Sequence, residues 1–129
     1  MRAIDTNIVV RFLTADDARE FKAARAVIDG GNVFVPITVC LESEWVLRSA
    51  YGFAPDQIAD GLRGLAGLPG VSVEEPAVLA TALDWMRAGM DFADALHLEK
   101  SKGCTAFLTF DRKLAKAAKA LSATPVEKL

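Results

Sequence analysis

Short apolar segments alternate with longer helix-like segments along this chain. Val33–Val35 is β-branched and aromatic, as is typical of a strand, and the residues after it show the apolar spacing of helices. A strand, a helix and a second strand form a crossover connection, which joins parallel strands. The alternation therefore predicts the α/β class, with helices on both faces of a mostly parallel sheet of about four to five short strands.

Prolines and glycines set the expected boundaries, because proline favours the first turn of a helix and glycine favours its end. The expected strands are residues 2–4, 33–35, 71–73, 106–109 and 124–126. The expected helices are residues 5–15, 16–29, 36–49, 55–68, 76–88, 91–103 and 111–121. With 129 residues, 52% of them hydrophobic, the chain is expected to form one domain over residues 1–129.

Cysteine and histidine are too scarce for several kinds of site. Two cysteines and the single His97 cannot form a Cys/His zinc site or a disulfide framework. His97 is expected to lie on a helix face or in the core rather than in a Ser-His-Asp triad. Because no signal peptide or membrane span is visible, we expect a soluble, cytoplasmic protein.

Carboxylates follow the predicted strands. Asp5 comes directly after the first strand, Glu42 lies in the helix after Val33–Val35, Asp94 lies in the first turn of the helix near residue 91, and Asp111 follows the fourth strand. The carboxyl ends of parallel strands share one edge of a sheet, where ligands of such folds bind. We therefore expect these four carboxylates to face that edge.

Each acid at a helix start has a second explanation. Asp5, Asp91 and Asp111 are good N-caps, and first-turn acids suit the helix dipole. Glu42 lies too deep in its helix to cap and has no basic neighbour there, so it is expected to be a partly buried carboxylate that needs a cation. Glu44 has Arg48 four residues on and is expected to form a surface ion pair.

Asp94 also lacks a Lys or Arg within one turn of its helix. Several unpaired carboxylates at one edge would repel one another unless a cation neutralised them. Oxygen-only ligation suits Mg²⁺ or Mn²⁺. Such an ion, keeping a bound water, is suited to hydrolysis of a phosphodiester.

Positive charge is concentrated near the carboxyl terminus. Residues 99–129 contain seven Lys or Arg and three Asp or Glu, although the whole chain has a net charge of −2. Lys113, Lys116 and Lys119 recur at helical spacing after Asp111 and could contact a nucleic-acid backbone. A solvated helix face explains each lysine equally well.

Four stretches resemble the PIN-domain ribonucleases, in particular the toxins of toxin–antitoxin modules of the VapC type. The matching stretches are residues 3–11 (AIDTNIVVR), 39–52 (VCLESEWVLRSAYG), 91–97 (DFADALH) and 108–115 (LTFDRKLA). Their order and spacing fit the family over essentially the whole chain. The resemblance implies a three-layer α/β/α PIN-like domain.

The resemblance also implies roles for individual residues. Asp5, Glu42, Asp94 and Asp111 would be the catalytic acids that hold the metal. Thr6, Asn7 and Thr109 would be polar neighbours that order the site. It further implies an endoribonuclease toxin with an RNA substrate, a small cognate antitoxin and a homodimer. We expect the helices at 36–49 and 55–68 to supply surplus apolar surface for that dimer.

Two other functions stay open at this point. The chain could be a catalytically silent interaction module, in which the acids are only helix caps and the helices bind a partner. Phosphatase chemistry is less well supported, because no DxDx[TV] motif follows a strand.

Overall fold

The computed structural model describes all 129 residues, as seven helices and five strands. The order is β1 (Arg2–Ala3), α1 (Thr6–Thr14), α2 (Ala18–Asp29), β2 (Val33–Val35), α3 (Ile37–Ser49), α4 (Pro55–Ala66), β3 (Val71–Val73), α5 (Pro76–Arg87), α6 (Phe92–Lys100), β4 (Phe107–Thr109), α7 (Arg112–Leu121) and β5 (Val126–Lys128). These elements fall into two compact units, Met1–Pro76 and Ala77–Leu129, which are described in turn.

The first unit contains a parallel three-stranded sheet in the order β1-β2-β3. Arg2 pairs with Val33, and Val33 pairs in turn with Val71. Two helices connect each strand to the next, α1 and α2 after β1 and α3 and α4 after β2, as crossover connections require. The carboxyl ends of these strands therefore lie at one edge of the sheet, next to the starts of α1 and α3.

A polar cluster ties the end of α1 to the loops around it. Arg11 forms an ion pair with Asp16 at 2.8 Å, and the Tyr51 hydroxyl donates to Asp16 at 2.6 Å. These interactions hold the pKa of Asp16 at about 2, with the Tyr51 hydrogen bond as the largest cause and the Arg11 hydrogen bond next. The cluster thus links the turn between α1 and α2 to the residues that follow α3.

Apolar side chains from the strands and helices form the core of the first unit. Its members include Val9, Val33, Val35, Cys40, Leu47, Ile58 and Leu62, all at 1% exposure or less. Burial raises the pKa of the Cys40 thiol to about 12. Cys104, in the second unit, is exposed.

The expected surplus of apolar surface on α3 and α4 is present only in part. Leu47, Ile58, Leu62 and Leu65 are buried within the chain, because these helices use those faces to cover the core. Val46 and Leu68 are half-buried, and Trp45 has 58% of its surface exposed.

The second unit contains the two-stranded parallel sheet β4-β5. Phe107 pairs with Val126 and Thr109 with Lys128, and α7 provides the crossover between the strands. Leu114 and Ala118 form the buried face of α7, and Leu83, Phe92 and other apolar residues of α5 and α6 are also buried.

The α/β class with short parallel strands is confirmed. The strands pair as a set of three and a set of two, a division that alternation along the sequence does not encode. The last strand begins at Val126 rather than at Thr124, because Pro125 has no N–H to donate and only its carbonyl joins the pairing, accepting from Phe107 N at 2.8 Å. The single domain over residues 1–129 stays a prediction.

None of the seven helices combines the length and the apolar character that crossing a membrane requires.

We predict that Gly70→Ala destabilises the chain by about 1–3 kcal/mol. Gly70 has φ +79°, and a Cβ there would lie 2.6 Å from the Cα of Gly31. Gly64→Ala is the matched control, because Gly64 lies inside α4 with open space around it. It should raise the free energy of unfolding by about 0.5–1 kcal/mol, from the better helix propensity of alanine. Urea unfolding measures both, and equal effects of the two variants would contradict the prediction.

Candidate active site

In the first unit, Asp5 and Glu42 are held by different interactions. The Oδ1 of Asp5 accepts a hydrogen bond from Ile8 N at 3.2 Å and caps α1. The hydroxyl of Thr6, which is buried, donates to Glu42 Oε1. Thr6 therefore makes a contact of the kind expected from a residue that orders the site. Asn7 is exposed and donates no hydrogen bond to either carboxylate.

The expected burial of the two glutamates of α3 is reversed. Glu42 is exposed, whereas Glu44 is only 3% exposed. The pair between Glu44 and Arg48 is present, at 2.8 Å, but it is not a surface pair on the glutamate side. The inward face of α3 runs through Ile37, Cys40, Glu44 and Leu47, a helical spacing visible in the sequence. That spacing could have placed Glu42 on the outward face.

Arg48 neutralises Glu44, so burial alone does not make Glu44 a better candidate than Glu42. The Oγ of Ser43, between them, is buried without a hydrogen-bond partner. Glu42 keeps one contact to a neighbouring element, through Thr6, and no Lys or Arg pairs with it.

In the second unit, two aspartates cap helices and a third lies between them. Asp91 Oδ1 accepts from Asp94 N at 3.0 Å and caps α6, and Asp111 Oδ1 accepts from Leu114 N at 3.1 Å and caps α7. The expected capping roles of Asp5, Asp91 and Asp111 are thus confirmed. Thr109 Oγ1 accepts from the backbone N–H of Asp111 at 2.9 Å, which fixes the turn that presents Asp111.

Asp91, Asp94 and Asp111 line one pocket of about 280 Å³. The remaining lining residues are Gly89, Met90, Lys113 and Leu114. Asp94 is the third residue of α6, as expected, and is partly buried. Its carboxylate forms neither an ion pair nor a side-chain hydrogen bond.

The pocket raises the pKa of Asp94 above its ordinary value. Desolvation is the largest cause, followed by the negative charges of Asp91 and Asp111, and His97 opposes the shift. His97 itself is exposed on its helix face. Asp94 therefore carries its negative charge in an environment that disfavours it.

This donor set fits a divalent cation by its chemistry. A carboxylate whose charge is destabilised by neighbouring carboxylates is stabilised by a cation, and oxygen ligands are those that Mg²⁺ and Mn²⁺ prefer. No group of three or more His, Cys, Asp or Glu side chains has the arrangement of a metal site. Each unit contains two of the four expected acids, Asp5 and Glu42 in the first and Asp94 and Asp111 in the second. A common site for all four stays a prediction.

The lysines expected to contact a nucleic-acid backbone lie on two faces of α7. Lys113 lines the pocket of Asp94, whereas Lys116 and Lys119 line a different groove together with Arg112 and Lys128. Sequence reasoning missed the last two residues. Arg112 could have been found from its spacing of four residues before Lys116, but Lys128 belongs to a strand whose pairing the sequence does not reveal.

The comparisons with known proteins give one match. A family model described as PIN domain matches residues 3–120. No curated protein and no solved structure matches the chain.

We predict that Asp94→Asn raises the stability of the metal-free protein near pH 7. The pKa of Asp94 lies above 3.8 in the folded chain. As the pH rises past 3.8, this carboxyl group loses its proton in the unfolded chain before it does so in the folded chain. The wild-type protein therefore loses stability as the pH rises from the unfolded to the folded pKa. Asparagine removes this loss. Near pH 3.5 the carboxyl is mostly protonated in both states, so the gain should shrink there.

Urea unfolding of wild type and Asp94→Asn in EDTA at the two pH values measures this difference. Asp60→Asn on α4 is the matched control, because Asp60 is exposed and has no ion pair. A gain from Asp94→Asn that is the same at both pH values, or one matched by Asp60→Asn, would contradict the electrostatic origin.

Proposed function

Because the chain belongs to the PIN domain family, which supports a nuclease-type function, we propose that it is a Mg²⁺- or Mn²⁺-dependent endoribonuclease that acts as the toxin of a type II toxin–antitoxin module. The observation that carries the chemistry is the pocket lined by Asp91, Asp94 and Asp111, where the pKa of Asp94 is raised. In a silent interaction module Asp91 and Asp111 would still cap helices, but the charge of Asp94, which has no ion pair, would only destabilise the fold at neutral pH.

We assign Asp5, Glu42, Asp94 and Asp111 as the residues that hold the metal. The assignment is supported by the resemblance of the four motif stretches and by the lack of any Lys or Arg ion pair on these carboxylates. When bound, the metal supplies an activated water and neutralises charge that develops on the scissile phosphate.

The chain's own residues orient this site. Thr6 donates its hydroxyl hydrogen to Glu42, which limits the orientations of that carboxylate. The caps on α1 and α7 use Oδ1 of Asp5 and Asp111, which leaves Oδ2 of each available. Asp94 holds its proton more tightly than an ordinary aspartate, so acid should weaken its ability to bind a cation.

We predict that Asp94→Asn lowers Mg²⁺-dependent RNA cleavage by about 100-fold or more, because it removes a charged ligand and leaves a neutral amide. Cleavage of a labelled RNA by highly purified protein measures this, and addition of EDTA to wild type should abolish cleavage. Circular dichroism checks that the variant is folded.

The matched control is Asp60→Asn, which makes the same chemical change on an exposed helix face and should cleave as wild type does. Undiminished cleavage by Asp94→Asn would refute the assignment of Asp94. Wild-type cleavage that persists in EDTA would refute metal dependence.

The toxin assignment and its partners rest on the VapC-type resemblance. The proposed antitoxin lays an amphipathic helix into an apolar groove and places an Arg or Lys among the acids, where the cation substitutes for the metal. A mostly apolar groove of about 180 Å³ between α1 and α2 is lined by Asn7, Ile8, Ala23, Ala24 and Val27 and by the ion pair of Arg11 with Glu20. The proposed homodimer is supported by the exposed Trp45.

We predict that expression of the chain alone arrests growth and that co-expression with its genomic neighbour restores it, because an unpaired ribonuclease would degrade the RNA of its host. Growth curves in a host without an antitoxin measure both effects, with Asp94→Asn as the inactive control. Normal growth of cells that express wild type alone would count against the toxin role. The nuclease activity is tested separately, by the cleavage assay.

A further inference from the structure

A second groove in the Ala77–Leu129 unit lies between α7 and β5. It has a volume of about 360 Å³ and is lined by four cations and two small apolar residues, namely Arg112, Ala115, Lys116, Lys119, Val126 and Lys128. No carboxylate borders it. We call it the basic groove.

The helix α7 positions three of these cations. Arg112, Lys116 and Lys119 are spaced by four and three residues, so they follow one face of the helix over about 10 Å. Lys128 comes from β5, where it pairs with Thr109 of β4. Ala115 and Val126 keep the space between the cations open, because their side chains are short.

Three cations of the basic groove, Arg112, Lys116 and Lys119, have no acidic partner. Lys128 donates to an oxygen of the terminal residue Leu129 at 3.2 Å. Elsewhere in the chain, Arg11, Arg25, Arg48 and Lys102 all pair with carboxylates. Like charges at helical spacing repel one another, so the groove is stabilised when an anion enters it.

We propose that the basic groove binds the phosphate backbone of single-stranded RNA, an inference that rests on the proposed function. A line of cations about 10 Å long matches several successive phosphates better than it matches one small anion. The groove has no aromatic ring on which a base could stack, so the contacts we propose there are to backbone phosphates, which carry no sequence information. Lys113 of the same helix borders the pocket of Asp94, so α7 places backbone contacts next to the proposed reaction site.

Salt dependence tests this directly, because each phosphate contact releases counterions. For single strands the slope of log affinity against log salt is about −0.7 per contact, so four groove cations contribute about −2.8. The variant Lys116→Gln/Lys119→Gln should make the slope shallower by about 1.4. When the salt concentration rises fourfold, the affinity of the wild type for RNA should then fall by a factor about seven times larger than the factor for the variant.

The experiment measures fluorescence anisotropy of a labelled RNA of about twelve nucleotides between about 50 and 200 mM salt, in EDTA so that no cleavage occurs. The matched control is Arg19→Gln/Lys22→Gln, which removes two exposed cations at the same spacing from α2 and should leave the slope unchanged. Glutamine keeps good helix propensity, and circular dichroism confirms folding of both variants.

Equal slopes for wild type and the groove variant, or no RNA binding by wild type, would overturn the proposal. Tighter binding of an oligoglutamate than of RNA of equal charge would also overturn it, in favour of an acidic protein partner. Groove-dependent RNA binding without any metal-dependent cleavage would uphold the groove and refute the nuclease, so the two failures are distinguishable.

Discussion

The start of a helix leaves backbone N–H groups that need acceptors, and carboxylates meet that need at several helices of this chain. Asp5, Asp17, Asp91 and Asp111 cap α1, α2, α6 and α7. Even α3, which follows a proline that cannot accept through its side chain, has Ile37 N bonded to Glu74 at 2.9 Å. Asp5 and Asp111 follow β1 and β4, so within each unit a cap that stabilises a helix also places negative charge at the carboxyl end of a strand, where ligands of parallel folds bind.

Local sequence patterns predict part of this fold. The bounds of β2 and β3 match the prediction, because their β-branched residues are enclosed by glycine and proline. The last strand is displaced by two residues, because its position depends on pairing with β4, a contact between distant residues. The grouping of strands into sets of three and two depends on the same kind of information, which local patterns do not carry.

Local patterns also predict only part of the candidate site. Residue type and position relative to the strands predict which acids begin helices, and they predict that no Lys or Arg pairs with Asp94. The burial of Glu42 and Glu44 is the reverse of the prediction, because the face of α3 that covers the core, and not the ion pairs along the helix, decides which glutamate is buried. The basic groove depends on a residue of β5, so only the folded chain reveals that Lys128 faces the cations of α7.

The two cysteines differ in a way that affects how the protein can be handled. Cys40 is buried and its thiol has a pKa of about 12, so the reactive thiolate form is scarce. Cys104 is exposed. A maleimide dye added to the folded protein therefore has one accessible thiol, in the same unit as the basic groove and the Asp94 pocket. The natural sequence thus provides a single labelling position on that unit without any cysteine having to be removed.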